Sequence, residues 1–224
     1  MEPCPGTVPG HGFKWRTVCM RMCSRDQCAA TQVLLFRIVA RQARRELPDG
    51  TFHVSARGNR RQTIFADDAD RRFFRTLLER VTRASSWHLH GYCLLNTHYH
   101  LVIETSVHGL SRGMHALNGT YAQCFNARHG LDGHLFQGRF HAAAIEADGH
   151  LLELTRYLAL NPVRAGLCSR PDQWSWSSYP GLVGVTAAEP FVSTNRVLHL
   201  FSEDRERAQD FIRRFVADTL DWSE

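Results

Sequence analysis

Lysine is almost absent from the sequence: Lys14 is the only one among 27 basic residues, and the others are arginine. Arginine carries a planar, permanently charged guanidinium group that suits two-point contacts with phosphate better than lysine does. The excess of basic residues lies within residues 1–184, whereas residues 185–224 carry a net negative charge. A net charge of +5 with this bias is typical of nucleic-acid-binding proteins, although an arginine-rich proteome would produce the same composition.

Long hydrophobic runs and a regular cysteine framework are also missing. No stretch approaches the roughly 18 apolar residues that cross a bilayer, so the sequence predicts no membrane partner. The first residues do not show the basic, apolar and cleavage regions of a signal peptide. The seven cysteines are irregularly spaced, which argues against a disulfide-stabilised secreted protein and against a zinc site at Cys19, Cys23 and Cys28. We therefore expect a cytoplasmic protein, associated with the nucleoid if it binds DNA.

Two His-x-His patterns stand ten residues apart, His88-Leu89-His90 and His98-Tyr99-His100. Alternate residues of a β-strand point to the same face, so either pair could place two imidazoles on one metal ion. Spacing does not choose between them, because 13 histidines in 224 residues make a chance pair expected. The second pair opens an apolar run, Leu101-Val102-Ile103, and a buried strand would hold its rings rigidly. The alternative is a buried strand with two hydrogen-bonded histidines.

Hydrophobic periodicity predicts a strand, helix, strand, strand, helix, strand, helix order. Strands are predicted over residues 51–57, 87–95, 98–105 and 139–147, and helices over 67–85, 110–129 and 148–161. Asn96-Thr97 is the predicted two-residue turn of a hairpin, Asp148 the predicted N-cap of the last helix and Pro162 its end. This order predicts an α+β, ferredoxin-like (RRM-like) sandwich with helices packed on a central antiparallel sheet. Helices over 195–201 and 203–218 would form a C-terminal tail.

The helix predicted over residues 148–161 carries a polar stripe opposite its leucines. Glu153, Tyr157 and Asn161 are spaced four residues apart and so share one face. The stripe could simply face solvent. If instead the helix packs across the sheet face that carries His98 and His100, Tyr157 and Asn161 would lie beside the metal ion as a nucleophile and a further polar group.

A basic turn follows the first predicted strand, in the segment Arg57-Gly58-Asn59-Arg60-Arg61. It could be a solvated loop, but a basic turn at the end of a strand is also suited to binding the phosphate backbone of a nucleic acid. Arg139 and Arg164 are further candidates for phosphate contacts. Four aromatic residues could stack on unpaired bases or anchor later segments on the core: Phe136, Trp174, Trp176 and Tyr179.

Five ordered blocks of sequence together resemble one known family. They are Phe52–Gln62, Ile64-Phe65, Gly91–Leu101, Gly133–Phe140 and Arg156–Gly166. These blocks are similar to those of the REP-associated tyrosine transposases, which belong to the single-tyrosine HUH transposases. The resemblance covers about residues 39–184 and favours His98 and His100 over the earlier pair. It implies a ferredoxin-like catalytic domain that acts on single-stranded DNA, usually at hairpins formed by repetitive extragenic palindromes.

The resemblance also implies roles for individual residues. His98 and His100 would ligate Mg²⁺ or Mn²⁺, Asn161 occupies the place of a third ligand, and Tyr157 would be the nucleophile that forms a 5′-phosphotyrosine. Many family members have Asn where this chain has Thr97. The hydrogen bond that this Asn would make to support His98 is therefore in doubt here. Predicted DNA contacts are Arg57, Asn59, Arg60, Arg61, Gln137, Arg139 and Arg164. Two alternatives are a domesticated hairpin-binding protein without turnover and an RRM-like RNA binder, the latter disfavoured by histidines at strand positions that would need exposed aromatics.

The predicted organisation has three parts. Residues 39–184 are predicted to form the catalytic domain and residues 185–224 a helical tail. The net negative charge of the tail argues against a second DNA-binding surface there. Residues 1–38 lack periodicity and are expected to be a poorly ordered extension or a mis-called start, because family members begin near the equivalent of Ala40. N-terminal sequencing of the native protein tests initiation at Val39. The chain is expected to act as a monomer or a homodimer.

Overall fold

A computed structural model describes residues 49–218, so the predicted N-terminal extension lies outside the described residues. Four strands form one sheet: β1 Gly50–Arg57, β2 His88–Leu94, β3 His98–Thr105 and β4 His141–Ile145. Six helices accompany them: α1 Asp68–Ala84, α2 Val107–His129, α3 Asp148–Arg164, α4 Tyr179–Leu182, α5 Asn195–His199 and α6 Arg205–Ala217. Two short 3₁₀ helices span Asn59–Arg61 and Pro171–Gln173.

The sheet has the strand order β2-β3-β1-β4, and all neighbouring strands are antiparallel. With α1 and α2 as the connections, this is the ferredoxin-like topology, so the predicted fold is confirmed. The hairpin turn is also as predicted: the Leu95 amide donates to the His98 carbonyl at 2.9 Å, which leaves Asn96 and Thr97 as its two loop residues.

Alternation along the strands gives the sheet two different buried faces. One face packs against α1 and α2 through a core that includes Phe52, Val54, Tyr99, Leu101, Phe74, Leu78, Met114, Leu117 and Tyr121. The opposite face packs against α3 through a second core that includes Cys93, Val102, Leu151, Leu154 and Leu158. The residues that alternate with the first set, including both histidines of β3, therefore lie on the α3 side.

Local sequence explains where two of the long helices begin. Asp67 caps α1, because its side chain accepts a hydrogen bond from the Asp70 amide. Asp148 is instead the first residue of α3, and Ala147 occupies the N-cap without a side-chain bond. The predicted capping role of Asp148 is therefore wrong. Because Asp148 lies in the first turn, its carboxylate still interacts favourably with the positive end of the helix dipole.

Two predicted boundaries differ from the structure. The helix α2 begins at Val107, three residues earlier than predicted, because the Ser106 side chain caps the Gly109 amide. The strand β4 is shorter than the predicted residues 139–147, since only its central part pairs with β1.

Pro162 does not end α3, contrary to the prediction. The helix continues through it to Arg164. Proline removes one amide donor from the helix. The last turn is nevertheless closed, because the Ala165 amide donates to the Asn161 carbonyl at 2.9 Å.

The predicted tail helices are present as α5 and α6, and they pack on α3. Their apolar residues belong to the second core: Val197, Leu198, Ala208, Ile212 and Val216. The Arg156 guanidinium of α3 also lies 4.6 Å from the ring centroid of Phe215. None of the helices within residues 49–218 is both long and apolar enough to cross a membrane.

Two glycines of α2 give a matched test of how tightly this helix packs. A Cβ at Gly113 would lie 2.2 Å from Cζ2 of Trp87, whereas a Cβ at Gly119 would meet nothing within 4 Å. We expect Gly113→Ala to lower the free energy of unfolding by about 1–3 kcal/mol through overpacking. Gly119→Ala should raise it by up to about 1 kcal/mol, because alanine is the better helix former. Chemical denaturation measures both, and equal effects of the two variants would contradict the packing.

Candidate active site

Three histidines form a cluster on the sheet face that α3 covers. His98 and His100 alternate along β3, with ring centroids 5.1 Å apart. The neighbouring strand β1 adds His53, whose ring stacks on that of His100 with centroids also 5.1 Å apart. His100 is only 3% exposed, whereas His53 and His98 are half-buried. The register of β1 and β3 thus brings together imidazoles that lie 47 positions apart in the sequence.

The helix α3 places Tyr157 directly over this cluster. The centroid of its ring lies 5.4 Å from that of His100 and 6.2 Å from that of His53, both edge-on. One helical turn later, the Asn161 amide donates to the Tyr157 carbonyl at 3.2 Å and also hydrogen-bonds the Tyr157 side chain. The structure therefore brings His98, His100, Tyr157 and Asn161 into one site.

Both histidines of β3 have their Nδ1 atoms engaged by a neighbour. His98 Nδ1 lies 3.0 Å from the Thr97 hydroxyl, and His100 Nδ1 lies 2.9 Å from His53 Nε2. The threonine that departs from the usual asparagine of the family thus still contacts the first histidine. His100 Nε2 is buried and has no hydrogen-bond partner among the described residues. A buried polar atom without a partner calls for an explanation, and a bound ion or water is one.

Burial keeps all three imidazoles neutral near pH 7. It is the largest cause that lowers the pKa of His98 to about 4, followed by the charge of Arg57. Burial likewise lowers the pKa of His53 to about 4, with smaller contributions from His141 and His150. The pKa of His100 lies well below its ordinary value, first because of burial and then because of the neighbouring histidines. A neutral imidazole is the form that binds metal.

These observations fit a divalent metal ion. The Nε2 of His100 has no hydrogen-bond partner within the described residues and belongs to a neutral ring, so it can ligate an ion when the proton of that ring is on Nδ1. Within residues 49–218, no three His, Cys, Asp or Glu side chains are grouped so that they could hold an ion. A metal ion here would therefore need another type of ligand besides the two histidines. The amide oxygen of Asn161 is of a suitable type, and the nitrogen of that amide is already used in a hydrogen bond.

Tyr157 differs from the other tyrosines in its exposure. The chain has five, and the four others are at most 7% exposed: Tyr92, Tyr99, Tyr121 and Tyr179. Tyr157 is half-buried, so it is the tyrosine with the most exposed side chain. Burial raises the pKa of Tyr157, while the Asn161 hydrogen bond and the charges of Arg164 and Arg57 oppose that increase. Burial outweighs these groups, so the pKa of Tyr157 stays above its ordinary value and the phenol is neutral near pH 7.

The earlier His-x-His pair does not form a comparable site. The His90 ring is buried and lies between Glu104, 2.8 Å from its Nε2, and the Ser193 carbonyl, 3.2 Å from its Nδ1. His88 is exposed. Both nitrogens of His90 are therefore used in structural contacts, and this pair follows the alternative interpretation of hydrogen-bonded histidines.

The basic turn after β1 presents exposed arginines beside the site. Arg60 and Arg61 both have left-handed backbone angles, with φ values of 51° and 61°. Non-glycine residues rarely adopt this conformation, which costs free energy and persists only where the surrounding structure holds it. Five arginines predicted to contact DNA are exposed and form no ion pair within the described residues: Arg57, Arg60, Arg61, Arg139 and Arg164.

Backbone hydrogen bonds tie this turn to two other segments. The Gly58 amide donates to the Thr97 carbonyl at 2.8 Å, next to the first histidine of β3. The Asn59 amide donates to the Leu135 carbonyl at 2.8 Å, and the Gln137 amide donates to the Arg57 carbonyl at 2.9 Å. The sequence blocks around residues 57, 97 and 135 thus converge at one end of the sheet.

A family model described as "Transposase IS200 like" matches residues 47–161, just over half of the chain. The matched range contains the histidines of β3, Tyr157 and Asn161. The chain belongs to the IS200-like transposase family. Membership gives it a transposase-type, DNA-binding function.

Comparison with solved structures shows that the fold is also similar to that of a transposase. The structure of a REP-associated tyrosine transposase bound to a REP hairpin is similar, with a TM-score of 0.55 and 19% sequence identity over 69% of this chain and 91% of that chain. The resemblance inferred from the five sequence blocks is thus confirmed. A putative transposase from Deinococcus radiodurans R1 covers 53% of this chain and 95% of its own, but its TM-score of 0.38 at 13% identity is too low to indicate a shared fold. A comparison with curated proteins found no match.

The aromatic residues predicted as possible base-stacking groups contribute mainly to the core of this IS200-like transposase. Phe136 and Tyr179 are buried. Trp174 donates its indole N–H to the Leu94 carbonyl at 3.0 Å, and the Trp176 carbonyl accepts the Leu94 amide at 2.9 Å. The two tryptophans therefore anchor the segment after α3 on the edge strand β2.

Two residues of the site were not identified from the sequence. His53 lies in the alternating pattern of β1 but becomes notable only when β1 is known to pair with β3. Arg71 is buried in α1, donates to Asn96 at 2.5 Å and lies 5.7 Å from the Trp174 ring. It fixes the hairpin turn just before His98. A buried arginine gives no local signal in an arginine-rich sequence.

Proposed function

We propose that this protein is a metal-dependent transposase that cleaves and rejoins single-stranded DNA near REP-type hairpins through Tyr157. The observation that carries the proposal is the position of this residue. It is the one tyrosine that is not buried, and its ring lies edge-on against His100, whose Nε2 has no partner within the described residues. A nucleophile beside a free metal-ligand atom is the arrangement that phosphodiester transfer requires.

The residues that would hold Mg²⁺ or Mn²⁺ are His98, His100 and Asn161. When bound, the ion supplies Lewis-acid stabilisation of charge on a non-bridging oxygen of the scissile phosphate. Imidazole does not by itself select magnesium, so ion identity has to be measured by activity rather than by occupancy. The neutral state of both rings makes the site ready to bind a cation near pH 7.

Tyr157 would perform the covalent step. Its hydroxyl oxygen forms a new bond to phosphorus and loses its proton, while the bond from phosphorus to the 3′ oxygen breaks and that oxygen takes up a proton. The products are a 5′-phosphotyrosine and a free 3′-OH. The number of phosphoester bonds is unchanged, so the reverse attack by a 3′-OH can rejoin strands without an external energy source. Arg57 and Arg164 favour the tyrosinate electrostatically.

Hairpin DNA is the proposed partner. A REP hairpin is bound by the solved transposase with a similar fold. In this chain, the unpaired arginines of the basic turn, with Arg139 and Arg164, would contact phosphates, while Asn59 and Gln137 add polar contacts. We propose that the site is formed within one chain, because the Tyr157 ring lies edge-on against His100 of the same chain. The acting form would be a monomer or a homodimer of such chains on the chromosome.

The covalent adduct tests this function. A hairpin oligonucleotide taken from palindromes that flank the gene, with single-stranded flanks, is incubated with the protein and Mn²⁺ and then denatured in SDS. We expect a 3′ label to migrate with the protein and a 5′ label to be released on a fragment with a 3′-OH. EDTA should abolish both the protein-linked 3′ label and the release of the 5′-labelled fragment. Tight hairpin binding without any adduct, in Mg²⁺ or Mn²⁺, would support the alternative of a binding protein without turnover.

The arginines of the basic turn give a prediction on affinity. Replacing both Arg60 and Arg61 by glutamine should weaken hairpin binding about tenfold and reduce the slope of log K against log salt by roughly 0.9 for each lost phosphate contact. A salt series of binding isotherms measures this. The control replaces Arg72 and Arg80, two exposed arginines of α1, by glutamine and removes the same charge. Equal losses in the two double variants would mean that net charge, not the turn, determines binding.

A further inference from the structure

His53 occupies a defined place behind the proposed metal ligands. It lies on β1, on the same sheet face as His98 and His100, and its ring stacks on that of His100 with an angle of 23° between the planes. Its Nε2 is 2.9 Å from His100 Nδ1. The family match includes this position but assigns it no role, and the proposed chemistry does not use it.

The hydrogen bond between these two rings has only two possible directions if both are neutral. If His53 donates, His100 Nδ1 is the acceptor and the proton of His100 must be on Nε2, which then has no lone pair for a metal ion. If His100 donates from Nδ1, its Nε2 carries the lone pair. The direction of this single bond therefore decides whether His100 can be a ligand through Nε2.

The surroundings of Nε2 favour the second direction. Nε2 of His100 is buried without a partner in the described part of the chain, and a buried N–H without an acceptor costs about 1–3 kcal/mol. His98 shows the parallel arrangement, because its Nδ1 is engaged by the Thr97 hydroxyl. In both rings the nitrogen next to the backbone is used by a protein neighbour, which leaves Nε2 of each ring as the atom available to an ion.

We propose that His53 is a positioning residue: it accepts the Nδ1–H of His100, fixes that ring in the tautomer with a free Nε2, and so prepares it to bind the divalent cation. This inference rests on the proposed function of the same site. It assigns His53 a role behind the ligands rather than among them. That assignment agrees with the absence, within residues 49–218, of any three His, Cys, Asp or Glu side chains grouped to hold an ion.

Partners behind a ligand typically change metal affinity about 10- to 100-fold when they are removed. His53→Leu keeps an apolar side chain of moderate size but has no acceptor. His53→Gln can place its amide oxygen near the former Nε2 and accept the same hydrogen bond. We therefore expect Mn²⁺ affinity to fall about tenfold or more in His53→Leu and to stay within about threefold of the native value in His53→Gln. Calorimetric titration of the full chain without DNA measures both.

The tautomer itself can be observed in the metal-free native protein. Long-range ¹H–¹⁵N NMR correlations of the imidazole rings distinguish Nδ1–H from Nε2–H, and the loss of signals in His100→Ala assigns the ring. We expect Nδ1–H for His100 in the native chain and in His53→Gln, and a shift towards Nε2–H in His53→Leu. His88→Leu is the control, because His88 is an exposed histidine of strand β2. It should change neither the tautomer nor the affinity.

Two results would overturn the proposal. One is a native His100 that is protonated at Nε2. The other is a loss of Mn²⁺ affinity in His53→Gln as large as that in His53→Leu, which would make His53 a ligand. Failure of the proposed transposase function is a separate result, because the tautomer and the affinity are measured without DNA. If the chain shows the expected tautomer and binds Mn²⁺ but forms no covalent adduct, the proposal for His53 stands and the proposed transposase function is rejected.

Discussion

Tyr157→Phe is expected to abolish the covalent protein–DNA adduct while leaving hairpin binding intact. Phenylalanine keeps the ring that packs edge-on against His100 and removes only the hydroxyl oxygen that would attack phosphorus. Loss of a covalent nucleophile typically reduces turnover by about three orders of magnitude or more. Loss of the hydroxyl hydrogen bond with Asn161 should change the free energy of unfolding by no more than about 1 kcal/mol. SDS gels with a 3′-labelled hairpin measure the adduct, and thermal unfolding checks stability.

Tyr92→Phe is the matched control for this experiment. Tyr92 is buried on β2, and its hydroxyl donates to Glu189 at 2.6 Å, so the same atom is removed from a structural site. Its adduct yield should equal that of the native chain. An adduct that persists in Tyr157→Phe would show that another residue is the nucleophile, and peptide mass mapping of the adduct would then identify that residue.

The regular elements were predictable because each depends on local patterns. Asp67 and the acidic residues after it begin α1 where the sequence indicates, and the alternating pattern of β1 matches its strand. The two-residue turn at Asn96-Thr97 follows from its position between two strands. The order of these elements then restricts the topology to a small number of sheets, of which the ferredoxin-like one is observed.

The end of α3 was not predictable from local rules. Proline usually ends a helix because it lacks an amide donor and clashes with the preceding turn. Pro162 is buried in α3, and the Ala165 amide still donates to the Asn161 carbonyl, so the helix loses only the hydrogen bond of residue 162 itself. The consequence for the site is that Arg164 lies on the same helix as Tyr157, close enough to affect the charge on its phenol.

The environment of the site depends on strand pairing, which a single sequence does not reveal. The pattern His98-Tyr99-His100 shows two side chains on one face, but His53 joins them only because β1 lies between β3 and β4. The same holds for the turn at Gly58, which meets Thr97 and the segment around Leu135 through backbone bonds between distant residues. The sequence therefore predicted the candidate ligands His98 and His100, but not the residues that contact and orient them.

The two His-x-His patterns give the second large effect. His100→Ala should abolish both Mn²⁺ binding and adduct formation, because it removes the buried ring whose Nε2 is available to an ion. His90→Ala removes another buried histidine, 6% exposed compared with 3%, from the neighbouring strand β2. It should keep the adduct and lower the free energy of unfolding by about 1–3 kcal/mol, because the Ser193 carbonyl and Glu104 lose a buried partner. Adduct assays, Mn²⁺ titration and chemical denaturation on both variants measure these effects.

The two variants separate a catalytic role from a structural one, because each is expected to lose the property that the other keeps. Glu104 still pairs with Arg196 at 2.8 Å when His90 is absent, so the edge of the sheet should remain folded and the site on β3 intact. Loss of the adduct in a folded His90→Ala protein would mean that the earlier pair takes part in catalysis. Retention of the adduct in His100→Ala would mean that the metal ion is not held through this ring, and the proposed site would have to be rejected with it.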